Sequence, residues 1–207
     1  AIALPVLTIY AVFAALGYLI ITNWELFYYH YSGCFSCLMD FAVARSSLSH
    51  NFTIIIAGGL AILLIGVIDD MRGMRARLKL AGQLVVAVFI CATGCVIESF
   101  YIPLLGLVEL DPVTGMIAGV IWIVGLINAF NIIDGLDGLA TGVALIVSLS
   151  LILLATSTGN IFIGITATVL AGSLAAFLIF NFYPAKIFFG DTGSMFIGYT
   201  LAVITLM

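Results

Sequence analysis

Two amides and two carboxylates fall within ten residues in the stretch Asn128-Ala-Phe-Asn131-Ile-Ile-Asp134-Gly-Leu-Asp137-Gly-Leu, between apolar runs at 116–127 and 139–154. Asn128, Asn131 and Asp134 recur every three residues, so on a helix they follow one slowly rotating stripe. Gly135 and Gly138 then break the helix and let the backbone come close to a ligand. Oxygen donors of this kind suit a hard cation, or the base and ribose hydroxyls of a nucleotide. A helix cap accounts for one of the four residues, not for all of them. At the border of a membrane-length helix such groups are costly unless something uses them.

Three further stretches carry chemistry. In Gly66-Val-Ile-Asp69-Asp70 the adjacent carboxylates of a helix point about 100° apart, which suits two roles, one acid near a cation and the other as a base. A solvated helix end is the plain alternative. Arg75, Lys79 and Gln83 are spaced i, i+4, i+8, a stripe that can hold phosphate oxygens. Arg72 and Arg75 are expected near a cytoplasmic helix end on topological grounds alone, so Lys79, nearest the apolar run, is the functional candidate. Lys186-Ile-Phe188-Phe189-Gly190-Asp191-Thr192-Gly193-Ser194 sets an acid between glycines at a helix start, where amide groups can face phosphate. An N-cap explains Asp191 or Ser194, but not both glycines and the Phe pair.

The elements that must position these residues are membrane helices. Of 207 residues, 64% are hydrophobic and 8% charged, with a mean hydropathy of +1.34; in globular chains about a quarter of residues are charged. The apolar runs are continuous rather than alternating, which disfavours a β-barrel. The expected fold is all-α: a polytopic transmembrane helical bundle of about seven spans, at about 3–22, 52–69, 78–97, 114–133, 138–156, 160–180 and from 193 onward. The chain reads as one transmembrane domain, a fragment of a longer protein cut at both ends. The net charge of −4 says little about partners, and the absence of a basic patch interleaved with aromatics leaves nucleic-acid binding unsupported.

Five of the six basic residues follow the second or the sixth run. With seven crossings, the loops at 70–79 and 181–192 and the stretch 128–137 fall on one side, the cytoplasmic side by the positive-inside rule. That face gathers five of the ten acids, glycine-rich turns and Lys79, a set suited to Mg²⁺ and a diphosphate. The segment 23–51 is expected outside, where its aromatic residues suit an interface belt. There Cys34 and Cys37 read as ordinary small residues ahead of a disulfide or a metal site with His30 and His50. Cys91 and Cys95 read as packing residues within an apolar helix.

Taken together, Asp69-Asp70, the 128–139 stretch and Phe189-Gly-Asp191-Thr-Gly-Ser194 resemble the polyprenyl-phosphate N-acetylhexosamine-1-phosphate transferases, over nearly everything from residue 52 to 207. The Asn-Ala-Phe-Asn form is similar to the undecaprenyl-phosphate N-acetylglucosamine branch. The resemblance implies a Mg²⁺-dependent phosphoglycosyl transferase, with Mn²⁺ as a substitute. It would move a sugar 1-phosphate from a UDP-sugar to polyprenyl phosphate and release UMP, an initiating step of cell-wall or lipopolysaccharide-type glycan synthesis. It further implies a multi-pass protein of the bacterial inner membrane with its site facing the cytoplasm. By motif position, Asp69 and Asp70 fall where the family handles the lipid phosphate, and Lys79 where a lysine contacts phosphate. Asn131 and Asp191 fall at the metal, Asn128, Asp134 and Asp137 at the substrate, and Phe188 where an aromatic stacks on uracil. Gly73 stands where many members carry a third acid. The expected partners are the lipid phosphate, the UDP-sugar and the bilayer, with an apolar surface that would accept a second copy as a homodimer. The alternatives are a transporter using membrane-border carboxylates, which would place acids near mid-helix, and a catalytically degraded member of the family.

The charge asymmetry yields a test. Cysteines introduced at Arg72 and Lys186 should be labelled from the cytoplasmic side and one at Asp111 from the opposite side; labelling of all three from one side would overturn the topology.

Overall fold

The computed structural model describes residues 35–102 and 106–207, with side chains from residue 49 onward. The expected span at 3–22, together with His30 and Cys34, lies outside the described residues. Six helices follow in order: α1 (Phe35–Arg72), α2 (Ala76–Ala92), α3 (Pro112–Ile133), α4 (Leu139–Thr158), α5 (Ile161–Asn181) and α6 (Gly190–Leu206). Between α2 and α3 lies an antiparallel hairpin of β1 (Ser99–Ile102) and β2 (Gly106–Glu109), with Ser99 paired to Glu109 and Ile102 to Gly106.

The expected architecture is corrected in part. The fold is mostly helical but not all-α. The short run between Glu98 and Leu110 forms the hairpin instead of extending a helix, and Gly106 at the start of β2 has a φ of 86°. α1 is already helical from Phe35, so the second run continues a helix that begins well before residue 52. Polar residues such as Asp40 and Arg45 end the hydropathy signal there, but they do not end a helix. Among the described residues four helical segments are long and apolar enough to cross a membrane: Ser49–Arg72, Pro112–Ile133, Leu139–Thr158 and Ile161–Asn181. α2 and α6 are 17 residues each, and α2 stops at Ala92 rather than running to residue 97 because Gly94 turns the chain at φ 111°. Cys95 therefore lies beyond the helix rather than within it, although it and Cys91 are both buried.

The core is organised around α6, which is buried on nearly every side from Thr192 to Ile204. It packs mainly against α1 and α3, while α4 and α5 pack chiefly on each other. Two glycines permit the close approach. A Cβ on Gly66 of α1 would lie 2.5 Å from the Thr192 Cα, and one on Gly198 of α6 would lie 2.6 Å from the Leu126 carbonyl oxygen of α3. Deeper in the bundle the Tyr199 hydroxyl donates to the Ile54 carbonyl at 3.0 Å, against Gly58. Backbone proximity of this kind replaces the missing hydrophobic drive between helices in lipid.

Gly66→Ala and Gly198→Ala should each lower stability by roughly 1–3 kcal/mol through overpacking, seen as a drop in melting temperature in detergent. Gly125→Ala, whose added Cβ meets nothing within 4 Å, should be neutral or stabilising.

Candidate active site

Four helix ends meet at one end of the bundle. α1 finishes with Asp69 and Asp70 and turns at Gly73 (φ 66°). Asp69 closes that turn: its carbonyl accepts from the Gly73 amide at 2.8 Å and its Oδ1 accepts from the Met74 amide at 2.6 Å. The chain returns as α2, bringing Lys79 on its second turn. α3 brings Asn131 near its C-terminus, and α6 brings Asp191 at its start.

Lys79 joins these elements. Its Nζ lies 2.7 Å from Asp69 Oδ2 and 3.1 Å from Asp191 Oδ1, and donates to Asn131 Oδ1 at 3.1 Å. The ammonium side chain is only 13% exposed, so at the end of an apolar bundle it is held by three oxygens from three different helices. Asn131 in turn donates to Asp191 Oδ1 and, at 3.0 Å, to Ser194 Oγ. Asp191 is the most open member, with 38% of its side chain exposed.

Asp70 does something different. Its Oδ1 accepts from the Asp191 amide at 2.9 Å, and its Oδ2 accepts from the Thr192 amide at 3.1 Å and from the Thr192 hydroxyl. Asp70 thus caps α6 from another helix, with its charge at the positive end of the helix dipole. The amides that the sequence offers to phosphate are therefore taken by a carboxylate of the chain itself. Asp191, relieved of capping, turns its carboxylate to Lys79 and Asn131. The two neighbouring acids of α1 diverge as helix geometry requires.

The other expected residues divide. Asp134 is the C-cap position of α3; burial, and then the charge of Asp191, push its carboxyl up to about 6. Asp137 is exposed and its Oδ2 accepts from the Ala185 amide at 3.0 Å, tying the 134–138 turn to the loop before α6. Phe188 is half exposed at 50%, whereas Phe189 is buried and stacked on Phe177 with ring centroids 3.9 Å apart. One ring of the pair anchors the loop and the other faces outward. Asn128 does not face the site. Its Nδ2 donates to Gln83 Oε1 at 2.7 Å and to the Val124 carbonyl at 2.8 Å. Gln83 is fully buried and so does not continue a phosphate-binding stripe. Outside this end, His50 Nε2 lies 3.1 Å from the Thr93 carbonyl.

One residue carries no emphasis in the sequence and proves central to the loops. Asn181 is 3% exposed. Its Oδ1 accepts from the Thr141 hydroxyl at 2.6 Å and from the Gly138 amide at 3.2 Å, and its Nδ2 donates to the Ile187 carbonyl at 2.9 Å. An amide closing an apolar run just before Phe-Tyr-Pro is the signal that could have marked it.

The oxygens around Lys79 also bear on a metal. Among the described residues no three His, Cys, Asp or Glu side chains form a cluster. The site offers two carboxylates and an amide oxygen, already drawn together on a cation. Mg²⁺ typically takes one or two carboxylates and fills other positions with water and substrate phosphate, so this all-oxygen set fits it.

Comparison with known proteins adds the following. The model of glycosyl transferase family 4 matches residues 52–207. The chain is 40% identical over 162 residues to the probable undecaprenyl-phosphate N-acetylglucosaminyl 1-phosphate transferase of Bacillus subtilis, a stretch covering 76% of this chain and 44% of that protein. It is 40% identical over 158 residues to the decaprenyl-phosphate N-acetylglucosaminephosphotransferase of Mycolicibacterium smegmatis, covering 72% and 39%. It is 36% identical over 173 residues to the phospho-N-acetylmuramoyl-pentapeptide-transferase of Lactobacillus delbrueckii subsp. bulgaricus, covering 78% and 54%. The matched region thus spans about half or less of each relative.

The raised carboxyl of Asp134 gives a pH test. Its proton is held more tightly in the folded than in the unfolded chain, so its contribution is full below the ordinary Asp range near 4 and is lost as pH rises through about 6. In chelator, melting temperature should fall over that window, and Asp134→Asn should remove the fall and melt higher at pH 7. An unchanged pH profile in the variant would refute the assignment.

Proposed function

The chain belongs to glycosyl transferase family 4, and on that premise we propose that it is a single transmembrane transferase domain that moves an N-acetylhexosamine 1-phosphate from a UDP-sugar to a polyprenyl phosphate, releasing UMP. The names of the relatives, with their undecaprenyl- and decaprenyl-phosphate acceptors, support the acceptor class. The observation that carries the reading is the meeting of Asp69, Lys79, Asn131 and Asp191 at one end of a membrane-embedded bundle. At that height a lipid phosphate arrives from the bilayer and a soluble nucleotide from the aqueous side. We assign that side to the cytoplasm of a bacterial inner membrane.

In this reading an oxygen of the lipid phosphate forms a bond to the β-phosphorus of the donor. The bond from that phosphorus to the bridging oxygen breaks, and the oxygen leaves with UMP. The lipid phosphate has a second pKa of about 6 and is already largely anionic near neutral pH, so positioning matters more than a strong base. Asp69 has its two oxygens engaged, one by Lys79 and one by the Met74 amide. It therefore orients the ammonium, and Lys79 holds phosphate oxygen as charge shifts toward the leaving group. Asp70 fixes the start of α6 so that Asp191 stays in register with Asn131. Asp191 and Asn131 would hold Mg²⁺, which when bound neutralises diphosphate charge. Phe188, open beside the turn at Asp134 and Asp137, is the surface for the uracil ring, and the two acids face the ribose and base edges.

Because Asp70 supplies the cap of α6, Asp191→Asn should leave thermal stability nearly unchanged. As a metal ligand it supplies a charge that Asn lacks, so UMP release from a UDP-sugar with polyprenyl phosphate should fall by about a hundredfold or more. Asp191→Glu moves the charge by one methylene and should also be impaired, since Mg²⁺ demands near-ideal geometry. Near-normal turnover of the Asn variant at low Mg²⁺ would remove Asp191 from the metal.

A further inference from the structure

One helical turn deeper than the Lys79 cluster, a second polar layer joins the same three helices. Gln83 of α2 lies four residues beyond Lys79, Asn128 of α3 three residues before Asn131, and Met195 of α6 four residues beyond Asp191. Each deeper residue thus stands on the same helix face as its partner above. Asn128 Nδ2 donates to Gln83 Oε1 at 2.7 Å, and Gln83 Nε2 donates to Met195 Sδ at 3.3 Å. Gln83 and Met195 are both fully buried. A primary amide placed inside a membrane bundle is costly unless its hydrogen bonds are met. Here the partners are met only while α2, α3 and α6 keep one particular set of rotations about their axes.

We propose that Gln83, with Asn128 and Met195, is a positioning layer for the transferase site: it fixes the rotations of α2, α3 and α6 so that Lys79, Asn131 and Asp191 converge. This rests on the function proposed above for the upper layer and assigns Asn128 a structural place rather than a substrate contact. Apolar side chains at these positions would pack as well but would tolerate several rotations. Rotating α2 by one residue position, about 100°, would carry Lys79 away from both carboxylates. The thioether is a weak acceptor, so the Asn128–Gln83 bond carries most of the effect.

Two readouts test it. The first is turnover with a UDP-sugar and polyprenyl phosphate in nanodiscs. Gln83→Leu and Asn128→Leu should each lower kcat roughly tenfold, and Asn128→Leu, which leaves the buried Gln83 Oε1 without its donor, should also lower the melting temperature. The double variant should be no slower than the slower single, because both delete the same bond. The second readout needs no activity. The chain has two lysines, Lys79 and the exposed Lys186. Acetylation of Lys79 relative to Lys186, followed by mass spectrometry, should rise several-fold in Gln83→Leu as the ammonium loses its fixed partners. Should Gln83→Leu not accumulate in membranes, Gln83→Met, which keeps the chain length, is read in the same way. Unmoved labelling and a kcat within twofold of wild type overturn the layer, and so do single effects that multiply in the double variant. A wild-type protein that releases no UMP while labelling still responds refutes the transferase reading and leaves the layer standing.

Discussion

A lysine ammonium at the end of an apolar bundle must find oxygen, and Lys79 finds it on three other helix ends at once. Desolvating the ammonium is expensive, and leaving it with no carboxylate partner typically costs about 3–5 kcal/mol. Asp69 and Asp191 would likewise repel each other without the cation between them. The four residues gather round one ammonium, and keeping them together obliges α1, α2, α3 and α6 to have their ends at the same height. The rest of the described fold serves that requirement. Gly66 and Gly198 bring α6 within backbone contact of α1 and α3. Asp70 seats the start of α6 against α1, and Asp69 closes the turn into α2.

The hairpin of α4 and α5 stands apart from that constraint. Its helices pack chiefly on each other, and its link to the site runs through the loops at their open end. Asn181 binds the start of α4 to the segment after α5, Asp137 holds Ala185, and Phe177 stacks on Phe189. Phe188 and Asp137 thus sit on a frame separate from the Lys79 cluster. A division follows between a centre fixed by ion pairing, to which the proposed function gives the phosphates, and a neighbouring edge fixed by amides and one aromatic stack, to which it gives the nucleoside. Such a division suits a family whose relatives differ in the sugar they carry while sharing a phosphotransfer step.

Much of the site was legible because its signals are local. Adjacent acids on a helix must diverge, and Asp69 and Asp70 do. Charge asymmetry alone set residues 70–79, 128–137 and 181–192 at one end, and there they meet. What escaped the sequence was relational. The capping of α6 by Asp70 joins residues 121 apart, and no local pattern marks it. Asn128 and Gln83 read as site residues because their types were right, yet each points into the other. Asn181 drew no notice, since a single amide at the end of an apolar run is common. The hairpin was hidden by its brevity, and the extension of α1 back to Phe35 by the use of hydropathy, which reports membrane depth rather than helicity. Of the two 17-residue helices, α6 is enclosed by its neighbours, whereas α2 turns Val85 and Phe89 outward.

The central claim is that phosphorus, not only sugar, moves. It is tested most directly with a UDP-N-acetylhexosamine carrying radiophosphorus at the β position, incubated with the protein, Mg²⁺ and polyprenyl phosphate. The account predicts that the label passes to the lipid fraction as a diphosphate-linked sugar while unlabelled UMP appears in the aqueous phase in equal amount. Label retained in released UDP, with sugar alone on the lipid, would contradict it.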